Sequence, residues 1–259
     1  MHKRYVSWDG NEPAREWAGL RLLAEHSPGL APDPLRRETV EGAPVVVMSR
    51  LAGRPLGDGH LSVQQVRAVC LALRRLFAVP VRAVRAAGLD ERNNGPSTFR
   101  SWVREWAAED HDLGACRDPA LVRDALERAR AWLDSPVATP DEVMDPVLAM
   151  ADGNLANLLW DGEVCRLVDF EDCGLSDPAY ELADLVEHVS SRLTGLLDVD
   201  AVVAEMGLTD QQHERWAAYR RLFAAFWLVM LLPGNPGFTR NPIGSTENQA
   251  DHLLALLDG

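Results

Sequence analysis

The feature that most limits how this chain can fold is a pair of short apolar runs joined by Asp161-Gly162. Leu158–Trp160 precedes that dipeptide and Val164–Val168 follows it. An Asp-Gly pair between two β-prone runs predicts a two-stranded antiparallel hairpin with a tight turn. Asn157 stands directly before the first strand and Asp169 directly after the second. The hairpin therefore brings these two side chains to the same end of the ribbon.

A third polar side chain, Asp152, lies in the loop five residues before Asn157. Carboxylate and amide oxygens are the ligands that Mg²⁺ prefers when it also contacts phosphate oxygens. A further carboxylate nearby could orient a hydroxyl nucleophile and accept its proton. The spacing Asp-x4-Asn is common by itself, whereas the ordered set of loop, strand, Asp-Gly, strand and Asp169 is specific. The alternative is a solvent-facing hairpin whose Asp and Asn side chains only cap turns.

The rest of the chain has a little extended structure followed by mostly helix, which predicts an α+β fold. Extended segments are expected over residues 3–6 and 45–48. Helices are expected over 14–26, from 62 onward, and over 97–108, 120–133, 180–193 and 210–232. The aromatic side chains of the last helix are expected to pack in the core, with lining of an acceptor cleft as the alternative: Trp216, Tyr219, Phe223, Phe226 and Trp227. His188 is expected to be a core or groove residue.

Composition excludes several classes of protein. The 259 residues include 39 acidic and 26 basic side chains, and the net charge of −13 argues against a nucleic-acid partner. The longest apolar run, Leu222–Leu232, is too short to cross a bilayer. No secretory leader is visible and the four cysteines form no Cys-x-x-Cys pair, so we expect buried thiols in a reducing cytoplasm.

The segment from Asp152 to Asp169 resembles the catalytic core of the aminoglycoside phosphotransferase family, which are small-molecule kinases with a protein-kinase-like fold. The family motif is His-Gly-Asp-x4-Asn, followed by Ile/Val-Asp at a strand end. The resemblance implies that Asp152 is the catalytic base and that Asn157 and Asp169 bind Mg²⁺. It also implies a bilobal fold with a reduced N-terminal β lobe and a large helical C-terminal lobe, and ATP as the phosphate donor.

Two further segments resemble the same family. Gly174–Pro178 and Glu181–Asp184 are similar to its Gly-x-x-Asp-Pro-x-x-Asp-Leu-Ala, a segment that anchors the catalytic core. By this resemblance Asp177 and Asp184 have structural rather than catalytic roles.

The first half of the chain carries the nucleotide side of the resemblance. The helix around Glu16 is similar to the one whose glutamate pairs with a phosphate-binding lysine, and Lys3 is the only lysine in the sequence. Val45–Gly53 resembles the strand and hinge between lobes, where adenine would bond to the carbonyl of Ser49 and the amide of Leu51. An ordinary strand and turn is the alternative there. The expected division is a nucleotide-binding lobe over 1–52 and a catalytic, acceptor-binding lobe over 53–259.

Two departures from the family pattern are visible. Met150-Ala151 replaces the His-Gly that precedes the catalytic aspartate, so the side chain at 150 can pack but cannot hydrogen bond. Only Met1 and His2 precede Lys3, so the Gly-rich hairpin that covers the phosphates is expected to be absent.

The resemblance implies ATP- and Mg²⁺-dependent phosphorylation of a hydroxyl on a small molecule. The acidic character of the helical lobe favours an amine-bearing acceptor such as an aminoglycoside or another antibiotic. A hydroxyl on an amino alcohol, a sugar or a nucleoside fits equally well. One alternative is a catalytically impaired kinase-fold protein that binds a small molecule or nucleotide, and another is hydrolysis at the same metal site. The sequence leaves the acceptor and the oligomeric state open.

Overall fold

The computed structural model describes residues 1–135, 142–193 and 195–259, and within them the fold is α+β. The strands are β1 His2–Arg4, β2 Pro34–Val40, β3 Ala43–Met48, β4 Arg54–Pro55, β5 Val147–Ala149, β6 Leu158–Trp160, β7 Cys165–Leu167 and β8 Gly174–Ser176. The helices are α1 Glu12–His26, α2 Val63–Phe77, α3 Val81–Ala86, α4 Pro96–Ala108, α5 Pro119–Leu133, α6 Pro178–Glu187, α7 Val189–Arg192, α8 Val199–Met206, α9 Asp210–Met230, α10 Pro236–Arg240 and α11 Ser245–Asp258. A short 3-10 turn, Leu155–Asn157, precedes β6.

The N-terminal sheet has the strand order β1-β3-β2, and both pairings are antiparallel. Strand β3 is central because its β-branched run is buried along nearly its whole length. Helix α1 packs against β2 and β3. Pro13 stands in its first turn, where a missing N–H leaves no hydrogen bond unmade. The sheet thus fixes β1, which carries Lys3, beside α1, which carries Glu16.

Two smaller antiparallel sheets, β4-β6-β7 and β5-β8, support the loop that precedes β6. The predicted hairpin is present, with Leu158 opposite Leu167 and Trp160 opposite Cys165. Strand β7 is one residue shorter at each end than the expected run. Strand β4 adds an edge to β6. The loop of residues 150–157 therefore connects two paired strands, β5 and β6, which hold both of its ends in place.

The apolar side chains form two buried clusters. The first joins the N-terminal sheet, α1, α2 and the three small strand pairs, and includes Leu20, Val46, Val69, Leu148 and Phe170. The second joins α4, α5, α6, α9 and α11, and includes Val103, Leu126, Tyr180, Phe223 and Leu253. Tyr219 and Phe223 of the aromatic helix are buried in this second cluster.

All four cysteines are free and buried, as the sequence predicts. Burial raises the pKa of Cys165 to about 12, so this thiol stays protonated at neutral pH. No helix in the described parts of the chain combines the length and apolar character needed to cross a bilayer.

The helix expected over 180–193 is wrong as a single element. It is broken at His188, whose φ of −56° and ψ of 139° are extended, so α6 ends at Glu187 and α7 begins at Val189. The imidazole accepts the backbone N–H of Ser190 at 3.1 Å and caps α7. Apolar periodicity runs through the break and conceals it. Strand β2 was not expected either, because its exposed polar residues lack the alternation that marks a strand.

Gly153 lets the loop before β6 pack directly on α6. A Cβ at this position would lie 2.5 Å from the carbonyl oxygen of Asp184, a backbone atom that cannot move aside cheaply. We expect Gly153→Ala to lower the free energy of unfolding by about 1–3 kcal/mol, the usual cost of overpacking. Urea denaturation measures this. Gly59→Ala is the matched control, since nothing lies within 4 Å of a Cβ there; equal losses in both variants would contradict the packing argument.

Candidate active site

Asp152 is held by the loop that precedes β6. Its Oδ1 accepts the backbone N–H of Asn154 at 3.0 Å, and its Oδ2 accepts Nδ2 of Asn157 at 2.8 Å. The side chain nevertheless remains 41% exposed. The carboxylate is thus fixed in direction and open to a small molecule, which is what a base for a bound hydroxyl requires.

Asn157 connects Asp152 to the hairpin. Because its Nδ2 donates to Asp152, its Oδ1 is turned away from that carboxylate and can bind a cation. The backbone N–H of Val168 donates to the carbonyl of Asn157 at 3.0 Å. Val168 immediately precedes Asp169, so the hairpin brings Asn157 and Asp169 to the same end of the ribbon, as the sequence predicts.

Lys3 lies among three carboxylates at this end. Its Nζ is 2.7 Å from Oε2 of Glu16 and 3.0 Å from Oε2 of Glu171, and it also contacts Oδ1 of Asp169. Glu16 is almost completely buried, and its Oε2 also accepts the backbone N–H of Phe170 at 3.2 Å. These contacts join β1, α1 and the segment after β7.

The carboxylates keep the lysine charged. Burial alone would lower the pKa of Lys3, but the negative charges of Glu16 and Asp169 outweigh it and raise that pKa above its ordinary value. One oxygen from each of Glu16, Asp169 and Glu171 lies within 4.8 Å of the others, a spacing that suits a cation. In this structure the ammonium group of Lys3 lies among these three oxygens. The backbone of Asp169, whose side chain contacts this ammonium group, is in the left-handed region with φ of 71°.

Arg92 is a site residue that sequence reasoning missed. Its Nη2 donates to the carbonyl of Ala151 at 2.9 Å and lies 3.3 Å from Oδ2 of Asp184, and its Nη1 pairs with Glu181. The guanidinium is buried and lies over the Tyr180 ring, 4.9 Å from the centroid. It therefore ties the loop carrying Asp152 to α6. A single arginine in a turn-rich segment gives no sequence signal for this role.

Asp177 has a comparable supporting position at the start of α6. Its Oδ1 accepts the backbone N–H of Ala179 at 2.9 Å and caps the helix, and its Oδ2 pairs with Arg215. Asp177 and Asp184 are thus both engaged with buried arginines and with the frame of the site.

Met150 and Ala151 stand where the family motif has His-Gly, and they differ in how well they suit the loop. Met150 is 5% exposed and packs in the first apolar cluster. Ala151 has φ of 69°, a left-handed conformation that favours glycine. The backbone here thus keeps a conformation suited to glycine although the sequence has alanine.

The segment after β3 carries the residues proposed to meet adenine. Asp33 and Ser49 tie it to β2, because the Ser49 N–H donates to the Asp33 carbonyl at 2.9 Å and the Asp33 N–H donates to Ser49 Oγ at 2.8 Å. Among the described residues, neither the carbonyl of Ser49 nor the amide of Leu51 is used in a hydrogen bond. Both are free to bond a ligand.

A cavity of about 990 Å³ has Asp172, three residues after Asp169, among its lining residues. None of Lys3, Asp152, Asn157 or Asp169 lines it, but Arg92, which holds the loop of Asp152, does. Its other charged lining residues are Glu12, Arg15, Glu91, Glu142 and Asp172. Both arginines are bound to protein oxygens, Arg15 to the carbonyls of Glu91 and Cys173. The cavity therefore presents net negative charge.

The backbone at Ala151 gives a direct test of the loop geometry. Ala151→Gly should raise the free energy of unfolding by about 0.5–1 kcal/mol, because relief of the left-handed strain exceeds the entropy that glycine adds to the unfolded chain. Ala24→Gly, at an exposed position within α1, is the matched control and should lower it by a similar amount. Urea denaturation compares them. Equal destabilisation of the two variants would refute the assignment of strain.

Comparison with known proteins identifies the family and the fold. The family model described as "Phosphotransferase enzyme family" matches residues 8–222. Among solved structures, the GDP complex of a mutant of the aminoglycoside 2′-phosphotransferase-IIIa is 22% identical, with a TM-score of 0.63 over 98% of this chain and 82% of that one. A search of curated protein sequences found no match.

Two other solved structures extend the comparison. A thermostable mutant of aminoglycoside phosphotransferase APH(4)-Ia, in a ternary complex with AMP-PNP and hygromycin B, is 17% identical, with a TM-score of 0.58 over 94% of this chain and 83% of that one. A choline/ethanolamine kinase family protein from Mesorhizobium loti is 17% identical, with a TM-score of 0.54 over 95% of this chain and 80% of that one.

At these identities the solved structures show the fold, and the family model shows the family. The predicted α+β, bilobal, protein-kinase-like architecture is confirmed. The match over most of the chain favours an enzyme over a catalytically impaired binding protein. The chain belongs to the phosphotransferase enzyme family and is a small-molecule kinase.

Proposed function

We propose that this kinase transfers the γ-phosphoryl group of ATP to a hydroxyl of a small, amine-bearing molecule, with Asp152 as the catalytic base. The observation that carries the proposal is the chain of contacts from Asp152 through Asn157 to the end of the hairpin, where Asp169 meets Lys3. It connects a solvent-open carboxylate to a charged lysine and a set of oxygen ligands. This is the arrangement that phosphoryl transfer needs.

The nucleotide would lie between an N-terminal lobe of residues 1–52 and a C-terminal lobe of residues 53–259. The free carbonyl of Ser49 and the free amide of Leu51 would bond the adenine edge. Lys3 would steady the phosphates while Glu16 holds it in place. A compact ammonium suits this role because it is a point charge that phosphate oxygens can share.

The residues present fit Mg²⁺. Asn157 Oδ1 and the Asp169 carboxylate are hard oxygen donors, and Glu171 adds a third oxygen close by. Asn157 and Asp169 would hold the ion. Bound there with ATP, Mg²⁺ would neutralise charge on the phosphate oxygens.

Asp152 would orient the acceptor hydroxyl and accept its proton as the new bond to phosphorus forms. Its direction is set by Asn154 and Asn157, and the loop is pinned from behind by Arg92. Because the reacting group is fixed before the substrate binds, little reorganisation is needed at the moment of transfer.

The negative charge of the protein favours a positively charged class of acceptor. The net charge is −13, and the 990 Å³ cavity that Arg92 helps to line carries four carboxylates against two arginines, both of which are bound to protein oxygens. Such a surface concentrates cations. The similar structures include a complex with the aminoglycoside hygromycin B and a choline/ethanolamine kinase family protein. An aminoglycoside or related antibiotic is therefore the first acceptor to test, and its phosphorylation would confer resistance.

The nucleotide site can be tested without knowing the acceptor. ATP with Mg²⁺ should raise the Tm of the protein, since a ligand at 100 times its Kd adds about 2.7 kcal/mol of stability. Asp169→Ala should abolish the metal-dependent part of this shift, whereas the exposed-site control Asp58→Ala should keep it. Differential scanning fluorimetry with and without Mg²⁺ measures both. No shift in the wild type at millimolar ATP would contradict a nucleotide site.

The base can be tested by turnover. Asp152→Asn should lower kcat by roughly 10²–10⁴-fold, the usual contribution of general-base catalysis, and leave the ATP-induced Tm shift in place. ADP release is measured against hygromycin B, kanamycin, choline and ethanolamine, with glycerol as an uncharged hydroxyl control. An unchanged kcat in the variant would exclude Asp152 as the base, and preference for glycerol would exclude an amine-bearing acceptor.

A further inference from the structure

His188 lies at the break between α6 and α7, where its backbone is fixed on both sides. Its N–H donates to the carbonyl of Asp184 at 3.0 Å, and its carbonyl accepts the N–H groups of Ser191 and Arg192 at 2.9 Å each. The side chain is 11% exposed. The ring also meets that of Trp227 edge-on, with 4.7 Å between centroids. The imidazole therefore has little freedom to turn.

The hydrogen bonds of Ser190 determine which ring nitrogen carries the proton. Its backbone N–H donates to Nδ1 of His188 at 3.1 Å, and its Oγ lies 2.7 Å from the same nitrogen. The backbone N–H can only donate, so it uses the one lone pair of Nδ1. Nδ1 is then an acceptor, so the neutral ring carries its proton on Nε2.

Nε2 faces the catalytic carboxylate across a gap. It lies 3.9 Å from Oδ1 of Asp152, which is too far for a hydrogen bond. Among the described residues no other group accepts a hydrogen bond from Nε2 of His188. An oxygen atom placed to one side of the line joining Nε2 and Oδ1 can lie at about 2.8 Å from both, an ordinary hydrogen-bond length. One hydroxyl oxygen can thus contact both groups at once.

Resting on the function proposed above, we propose that His188 is a second catalytic residue, whose Nε2–H donates a hydrogen bond to the acceptor's hydroxyl oxygen while Asp152 takes that hydroxyl's proton. In the transfer, the acceptor O–H bond breaks and its proton passes to Asp152. The oxygen bonds to the γ-phosphorus, and the bond from that phosphorus to the ADP oxygen breaks. His188 keeps its proton throughout and stabilises the negative charge that develops on the acceptor oxygen.

The surroundings keep this donor neutral. Burial lowers the pKa of His188 to about 4, although the charge of Asp152 opposes the shift. The neighbouring carboxylate on the same helix, Glu187, is bound to Arg220 and His252 at 2.6 and 2.7 Å. Trp227, on α9, carries no charge. The ring therefore presents one N–H to the site instead of a second, competing base or a full positive charge.

Two substitutions separate the donor role from the cap of α7. His188→Asn keeps an acceptor for the Ser190 N–H but has no group that reaches Asp152. His188→Gln loses the cap but places an amide N–H near the position of Nε2. If the donor matters, kcat should fall on the order of 10- to 100-fold in His188→Asn, with KM for ATP unchanged, and should recover in part in His188→Gln.

A purely structural role predicts the reverse order, with His188→Asn close to wild type and His188→Gln the poorer enzyme. ADP release with hygromycin B, and with water as the acceptor in its absence, gives the ranking. Thermal unfolding of both variants checks that the fold is retained. A kcat in His188→Asn equal to or above that of His188→Gln would overturn the proposal.

A second measurement does not require turnover. In ¹⁵N-labelled protein, the side-chain nitrogens of His188, assigned by their loss in His188→Asn, should show a neutral ring protonated at Nε2 at pH 7. A proton on Nδ1, or a ring protonated at both nitrogens, would overturn the donor role even in an inactive protein. A wild type without any ATP turnover would count against the proposed function, whereas the wrong tautomer counts against this inference alone.

Discussion

The ammonium of Lys3 and the carboxylates of Glu16, Asp169 and Glu171 form the interaction on which the rest of the site depends. Glu16 is buried, and a buried carboxylate without a partner is costly, so loss of the lysine would leave an uncompensated charge worth about 3–5 kcal/mol. The same ammonium draws Asp169 toward α1. Because Lys3 is the only lysine, no neighbouring residue of its type can substitute for it. One charge thus holds the N-terminal sheet to the end of the hairpin.

A second buried charge supports the loop that carries Asp152. Arg92 binds the carbonyl of Ala151 and two acids of α6, and Gly153 allows the loop to approach α6 closely enough for those bonds. Asp152 directly follows Ala151 in this loop, and its carboxylate is exposed. The scaffold is therefore rigid around the proposed base and leaves its carboxylate open to solvent. Phosphoryl transfer requires rigid support for an exposed reacting group, since positioning and electrostatics supply most of the catalysis.

Features that depend on residues close together in the sequence could be predicted from it. The hairpin and the relation of Asp152 to Asn157 follow from turn residues and spacing, and Lys3 was singled out because it is the only lysine. Arg92 could not be found in this way, because its partners on α6 are about 90 residues away and arginines are frequent in this chain. The break at His188 was missed because apolar periodicity continues across it, while the cause is an imidazole that caps the next turn. Long-range partners and side-chain caps are tertiary information that a pattern of apolar residues does not contain.

We propose that the carboxylates around Lys3, together with Asn157, form a site for a divalent ion with nucleotide. A crystal structure of the protein with Mn²⁺ and a non-hydrolysable ATP analogue tests it most directly, because Mn²⁺ is located by its anomalous scattering. We expect a peak at about 2.1–2.3 Å from Asn157 Oδ1 and from the Asp169 carboxylate, with Lys3 Nζ on a phosphate oxygen. A peak elsewhere, or an analogue bound away from these residues, would contradict it.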